Sequence, residues 1–360
     1  REGGVIIYDE GLLDADEVPN FEERAEENNW HVFPLDLRGL AREKGREVMR
    51  NTAGVGATCA IADVPIEAIE ELMTDAMPDK ILEPNIEILY EAYEMVQENH
   101  DLSGIEVSCP TGEHEEEQVL VNGSEGIAYG AFDEGCRFIA GYPMTPWTEA
   151  FTILTQKFPE VGGISEQVED EIAAAALAIG ASHTGVKAMS GSSGGGFALM
   201  SEPLGLAEIS ETPIVLLEAA RAGPSTGMPT KPEQADLEHV LYTSQGDSNR
   251  VVFAPADPAE AYDHARRAFQ IAYEYQIPSI ILYDQKLSGE YRNVPASHFD
   301  REPNADIGKT LTEDQIAEAP HEPSGKFRRF RHDPEDGVSP RSVPGQKGGR
   351  FLATGNEHNE

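Results

Sequence analysis

Positive charge is what this sequence has least of: 27 Lys and Arg stand against 65 Asp and Glu, a formal net charge of −38. The acids are spread along the whole chain and form no tail, so the imbalance belongs to the entire surface. It argues against nucleic acid and against an anionic membrane as partners, because both are bound through Lys and Arg. In ordinary salt such a charge repels itself and weakens the compact state. At molar salt the Debye length falls to about 3 Å and the repulsion is screened, so we read the excess as adaptation to a cytoplasm of very high salt. Cysteine is scarce too. Cys59, Cys109 and Cys136 are far apart and form no Cys-x-x-Cys, which excludes the spacing of zinc and iron–sulfur sites and leaves plain reduced or buried thiols of a cytoplasmic protein. No apolar run reaches the roughly 18–20 residues of a membrane helix, and no charged-then-apolar leader opens the chain. Arg1 in place of Met allows for an internal fragment of a longer polypeptide.

What is present is enough for two domains. Residues 1–97 read as a small α/β unit. VIIYDE and WHVFPLD (30–36) are strands, and residues 37–49 have helical periodicity. Residues 51–64 form a small-residue helix, the segment 63–73 is a helix capped by Asp63, and residues 81–96 are a closing helix. Residues 98–117 are acidic and irregular, a linker. Residues 118–290 alternate strand and helix, beginning with VLVNG. They run through FIAGYP (138–143), VGGISE, VKAMSG, PIVLLEAAR (213–221) and RVVFAP (250–255) to PSIILYD (278–284). Continuous apolar strands in βα alternation predict a doubly wound parallel sheet, with ligands at the carboxyl ends of its strands. Residues 291–360 lose the alternation and read as an extended arm leading towards a further domain.

Four segments at strand ends carry the chemistry. GYPMTP (141–146) places Thr145 at a helix start, where it suits a carboxylate and equally a plain cap. SEQVEDEIAAAALAIGA (165–181) reads as an acidic helix opening followed by alanines. The macrodipole alone accounts for most of those acids. SGSSGGGF (190–197) has the composition of a phosphate loop but lacks its Gly-Lys-Ser/Thr ending. In EAARAGPSTGMPTKPEQADL (218–237), Arg221 ends an apolar strand, a costly place for a charge. It fits a carboxylate substrate held bidentately, or a structural ion pair.

Each is weak alone. Together, in this order, they resemble one family. The stretch from Val119 to Asp284 resembles the alpha-subunit core of 2-oxoacid:ferredoxin oxidoreductases through GYPMTP, QVEDE, GSSGGGFALM, the strand ending at Arg221 with GPSTGMPT, and EQADL. The N-terminal unit resembles the C-terminal half of the gamma domain that some of these enzymes fuse ahead of alpha. The tail DGVSPRSVPGQKGGRF with GNEH also matches. Two departures are Gly195, where many relatives carry proline, and Gln245, where many carry histidine.

The resemblance implies the thiamine-diphosphate pyrimidine-binding fold. It implies oxidative decarboxylation of a 2-oxoacid with coenzyme A to acyl-CoA, CO2 and reduced ferredoxin, with 2-oxoglutarate favoured over pyruvate because the gamma–alpha fusion resembles that subgroup. By motif match, Glu169 is the carboxyl facing the pyrimidine and Arg221 holds the substrate carboxylate. Thr145, Tyr142 and Thr226 line the same pocket, and Gly194 and Gly195 contact the cofactor. The Gly-Asp-Gly motif for Mg²⁺ and diphosphate is missing, as are cluster cysteines. A beta subunit is therefore expected to supply the metal and the iron–sulfur cluster. Two alternatives remain: a separate pyrimidine-domain chain of another thiamine-dependent lyase or transferase, and a non-catalytic assembly subunit. The charge carries its own expectation. The melting temperature should rise steeply from low to molar KCl, as screening relieves the self-repulsion; a flat profile would count against adaptation to salt.

Overall fold

The computed structural model describes residues 1–105, 107 and 115–352, so Cys109, part of the acidic linker and the GNEH tail lie outside the described residues. The chain divides into two compact units, Arg1–Glu113 and His114–Glu360.

In the first unit the elements are β1 (Val5–Asp9), α1 (Phe21–Glu27), β2 (His31–Leu35), α2 (Leu37–Lys44), α3 (Arg50–Ala62), α4 (Ile66–Ala76) and α5 (Asp79–Asn99). β1 and β2 pair in parallel. Phe33 and Leu35 of β2 pack on Leu40 of α2, Ala53 and Ala57 of α3, and Ile88 and Val96 of α5. Two local expectations change. The helix begun at Leu37 stops at Lys44, before Gly45, and residues 47–49 form a separate 3₁₀ turn. Asp63 does not open α4. It closes α3 in the left-handed conformation, and Pro65 is the residue before α4. An Asp tolerates that conformation better than a branched residue does, and helix closure takes precedence here over capping the next helix.

The second unit contains β3 (Gln118–Val121), α6 (Gly123–Asp133), β4 (Phe138–Gly141), α7 (Thr148–Lys157), β5 (Ile164–Gln167), α8 (Glu171–His183), β6 (Ala188–Ser192), α9 (Gly195–Leu199) and α10 (Ser201–Ile209). It continues through β7 (Ile214–Ala220), α11 (Leu237–Tyr242), β8 (Val251–Phe253), α12 (Pro258–Tyr275), β9 (Pro278–Asp284), α13 (Gln285–Gly289), β10 (Arg292–Pro295) and α14 (Glu313–Glu318). Six strands form a parallel sheet in the order β5-β4-β6-β7-β9-β8. Its two faces explain the unbroken apolar run of β7. Val215, Leu217 and Ala219 enter the core shared with α6, α7 and α12, while Ile214 and Leu216 enter the core shared with α8, α9, α10 and α11.

β3 is not the first strand of this sheet. It pairs antiparallel with β10 in a separate ribbon. The stretch from Gly196 to Ile209, which reads as one helix, is two, divided at Met200. Pro203 has no N–H to give the Leu199 carbonyl, so the helix cannot run through. The segment after Asp300 has little regular structure, yet it is no free arm. Arg341 Nη2 donates to the Ser182 carbonyl at 2.7 Å, Arg329 Nη1 to Glu211 at 2.8 Å, and Lys187 Nζ to the Asn304 carbonyl at 3.2 Å. All three cations are buried.

α6 lies directly on α12. A Cβ at Gly126 would stand 2.4 Å from the Pro258 carbonyl oxygen, and one at Gly130 2.4 Å from that of Tyr262. Only glycine permits this approach. Gly130→Ala is therefore expected to destabilise by about 1–3 kcal/mol, as overpacking does. Gly180→Ala, in the interior of α8 with open space around its Cβ position, should stabilise by about 0.5–1 kcal/mol. Denaturant midpoints of the two variants measure the contrast.

Candidate functional site

The sheet order sets the site. From β4 the chain moves to β5 on one side and then to β6 on the other, so the direction of winding reverses beside β4. A reversal of this kind opens a crevice at the carboxyl ends of the strands. The segments after β4, β5, β6 and β7 are GYPMTP, the turn before α8, the glycine loop and the loop from Arg221 to Asp236. Four adjacent strands thus deliver all four sequence motifs to one edge.

Arg221 organises that edge. It follows the last residue of β7 and is 8% exposed. Its Nη1 donates to the Thr145 carbonyl at 2.6 Å and its Nη2 to the Thr226 carbonyl at 2.9 Å. No carboxylate lies within ion-pair distance among the described residues, so the structural ion pair considered above is not formed. The guanidinium instead ties GYPMTP to the 222–236 loop through main-chain oxygens. The side chains of Thr145 and Thr226 stay exposed, and Tyr142 is half-buried at the start of the same turn. Thr145 is not a helix cap: Trp147 is the residue before α7 and no side chain caps that helix. Trp147 is fully buried beneath the turn and donates from Nε1 to the Tyr142 carbonyl at 3.0 Å.

The acids of QVEDE part company. The helix does not open on the whole cluster. Asp170 is the N-cap and accepts from the Ala173 N–H at 2.8 Å, so α8 starts only at Glu171. Glu169 precedes the cap, on the surface. Glu171 is 3% exposed, on the same helical face as the buried Ala174, Ala175 and Ala178. Its Oε1 accepts from Ser192 Oγ at 3.2 Å, and a Cβ on Gly196 would stand 2.3 Å from that oxygen. Ser192 Oγ also lies 3.6 Å from Met144 Sδ. The carboxyl that the fold brings into the site is thus Glu171, and its 3.6-residue spacing to the buried alanines was the signal for it in the sequence.

The glycine loop runs between these parts. Gly194 has φ +45°, a backbone region that favours glycine. Its N–H donates at 2.7 Å to Glu218 Oε1. Gly195 comes near the Ser225 carbonyl oxygen, 3.7 Å from a Cβ built there. A proline at 195 would lack the N–H that glycine keeps, but the space around the position is open. Gln245 is exposed in the turn before β8, away from this edge. Glu218 was missed by sequence reasoning although it interrupts the otherwise apolar β7. It is fully buried, and burial pushes its carboxyl well above the usual 4.5.

The chain matches the family model described as pyruvate flavodoxin/ferredoxin oxidoreductase, thiamine diphosphate-binding, over residues 129–360, and that of pyruvate ferredoxin/flavodoxin oxidoreductase over residues 1–95. It is 44% identical over 169 residues to the 2-oxoglutarate synthase subunit KorA of Archaeoglobus fulgidus, covering 47% of this chain and 49% of that one. An alignment of 412 positions with the 2-oxoacid:ferredoxin oxidoreductase 2 alpha subunit of Aeropyrum pernix is 32% identical and covers 100% of this chain and 62% of the relative. The 2-oxoglutarate:ferredoxin oxidoreductase from Magnetococcus marinus, solved with 2-oxoglutarate, coenzyme A and succinyl-CoA bound, superposes with a TM-score of 0.83 at 28% identity, over all of this chain and 60% of that one. The chain spans about half the length of the first curated relatives it matches.

Proposed function

The chain belongs to the pyruvate flavodoxin/ferredoxin oxidoreductase family, and from that premise we propose that it forms the pyrimidine half of a thiamine diphosphate site and holds the carboxylate of a 2-oxoacid. The reaction is oxidative decarboxylation with coenzyme A to acyl-CoA, CO2 and reduced ferredoxin in the cytoplasm. 2-Oxoglutarate is the favoured substrate over pyruvate, in keeping with relatives named 2-oxoglutarate synthase. The observation that carries the reading is the buried Arg221 guanidinium, held by two carbonyls and, among the described residues, by no acid. Carbonyl dipoles offset part of its charge; a bound anion offsets the rest. The Arg fork suits the two oxygens of a carboxylate.

The residues also fit the cofactor. The chemistry that thiamine diphosphate supplies when bound is a nucleophilic carbon for decarboxylation of a 2-oxo group. Glu171 would face its aminopyrimidine. Buried among alanines and steadied by Ser192, its Oε1 can hold and return a proton away from water. We therefore move the role expected of Glu169 two residues along the chain. Gly194 spends its N–H on Glu218, so its part is to shape the loop, while Gly195 keeps the loop close to Ser225. Ile172 in the first turn of α8 and Leu199 at the end of α9 are exposed apolar side chains near this edge. They support docking of a beta chain that would bring Mg²⁺, the diphosphate site and the iron–sulfur cluster.

The direct test is CoA-dependent oxidation of 2-oxoglutarate and pyruvate by the chain assembled with its beta partner, with ferredoxin as acceptor; no activity with any 2-oxoacid would sink the reading. In that assembly Glu171→Gln should lower turnover by about 10²–10⁴-fold, the usual contribution of general acid–base catalysis, while Glu169→Gln stays close to the parent. The reverse pattern returns the role to Glu169. Arg221→Lys keeps the charge and loses the fork, so it should raise KM for the 2-oxoacid and lower kcat/KM. Arg221→Ala should do so more strongly, with the folded fraction still assembling. A variant that melts early but is fully active once folded would show a structural role only.

A further inference from the structure

Ser192 ends β6 and is fully buried. A serine hydroxyl has one proton to donate, and it rotates to suit its surroundings. Two acceptors face this one. Glu171 Oε1 lies 3.2 Å from Ser192 Oγ and Met144 Sδ 3.6 Å from it, the longer reach being that of a donor to sulfur. Gly196 of α9 closes a third side: a Cβ there would stand 2.1 Å from Ser192 Oγ and 2.3 Å from Glu171 Oε1. Sealed in this way, the hydroxyl gives its proton either to the carboxyl or to the sulfur.

The fold brings both acceptors to it. Glu171 opens α8 on the face of the buried Ala174 and Ala178. Met144 stands in the turn after β4, and Trp147 seats that turn on the sheet. A Cβ at Gly141 would stand 2.2 Å from the indole Cη2, and one at Gly191 of β6 2.9 Å from Cε3. Arg221 holds the same turn through the carbonyl of the next residue, Thr145, at 2.6 Å. A leucine would fill the volume at 144 about as well. What methionine adds is a polarizable sulfur that accepts weakly.

The balance between the two acceptors changes with the state of Glu171. A hydrogen bond to an ionised acceptor is roughly twice as strong as a neutral one, so a carboxylate draws the hydroxyl proton. Once the carboxyl takes up a proton that advantage falls away, and the sulfur competes. Glu171 Oε2 makes no hydrogen bond among the described residues and is not sealed from solvent, so it is the oxygen at which a proton can arrive and leave. We propose that Ser192 is a positioning residue for Glu171. Its hydroxyl pins Oε1 while the carboxyl is ionised, so that Oε2 faces the cofactor, and it turns to Met144 Sδ as the carboxyl is protonated. Serine alone would favour the ionised form throughout; serine with methionine lets that hold slacken when the proton arrives. This deepens the reading of Glu171 as the carboxyl facing the pyrimidine and rests on that reading for its catalytic meaning.

The experiment is infrared difference spectroscopy of the full chain without cofactor, with the Glu171 carboxyl bands assigned from parent minus Glu171→Gln. Ser192→Ala removes the donor and should shift those bands. Met144→Leu leaves the hydroxyl a single acceptor and should shift them in the opposite sense. The double variant should match Ser192→Ala, because the methionine acts only through the serine. Bands unmoved by Met144→Leu, or moved equally with and without Ser192, overturn the proposal. In the assembled enzyme Ser192→Ala should lower kcat about tenfold and leave KM for the 2-oxoacid within about twofold, as loss of a hydrogen bond to a charged group away from the substrate does. Ser192→Cys, a weaker donor, should fall between parent and Ser192→Ala. A raised KM with unchanged kcat overturns the positioning role. Should Ser192→Ala fail to fold, the Ser192→Cys and Met144→Leu spectra decide in its place, by shifts of opposite or of equal sense. If Glu171→Gln itself leaves turnover intact, the catalytic reading of Glu171 fails, and the infrared shifts still decide whether the hydroxyl serves both acceptors.

Discussion

A buried guanidinium whose partners among the described residues are peptide carbonyls is the constraint around which the second unit is arranged. β7 lies inside the sheet and is covered on both faces, so a charge can be carried only where the strand emerges. Arg221 sits there and draws the turns after β4 and β7 together. The surrounding chain carries a net charge of −38, which repels anions at long range. A short-range, desolvated cation can still bind them, because a contact inside a crevice is screened far less than the surface field around it.

Three glutamates near this edge show how backbone position sets the fate of one residue type. Glu169 precedes a helix cap and remains in solvent. Glu171 comes two residues later on the buried face of α8 and rests on Ser192. Glu218 sits in a strand with neither face open, where the Gly194 amide meets its Oε1. The first stands in solvent, the second meets a hydroxyl and the third a backbone amide, so one residue type takes three settings without any change of side chain.

Much of the second unit is legible in the sequence because a parallel sheet leaves two clear signals, strands apolar throughout and loops rich in Gly, Pro and Ser at one end. The clustering of Thr145, Tyr142, Arg221, Thr226 and the glycine loop follows from those signals once strand order is known. Other features are not legible in the same way. The choice between Glu169 and Glu171 turns on which acid caps the helix, and Asp170 takes the cap from within a run of three candidates. Pairing of β3 with β10 joins Val121 to Arg292 and Gln118 to Pro295, a distant chain return that no local pattern encodes. The division at Met200 is signalled only by Pro203, since composition around it stays helical. The resemblance to the family rests on the joint order of the motifs, each of which has an ordinary structural explanation alone.

Because Arg221 grips peptide oxygens at positions 145 and 226 and leaves their side chains exposed, the framework of the crevice is indifferent to which side chains stand there. Mutational drift at these positions can change the polarity and width of the mouth while the loops remain in register. Such a scaffold is robust and tunable together. Single exchanges at the rim can reshape this mouth with no compensating change beneath it.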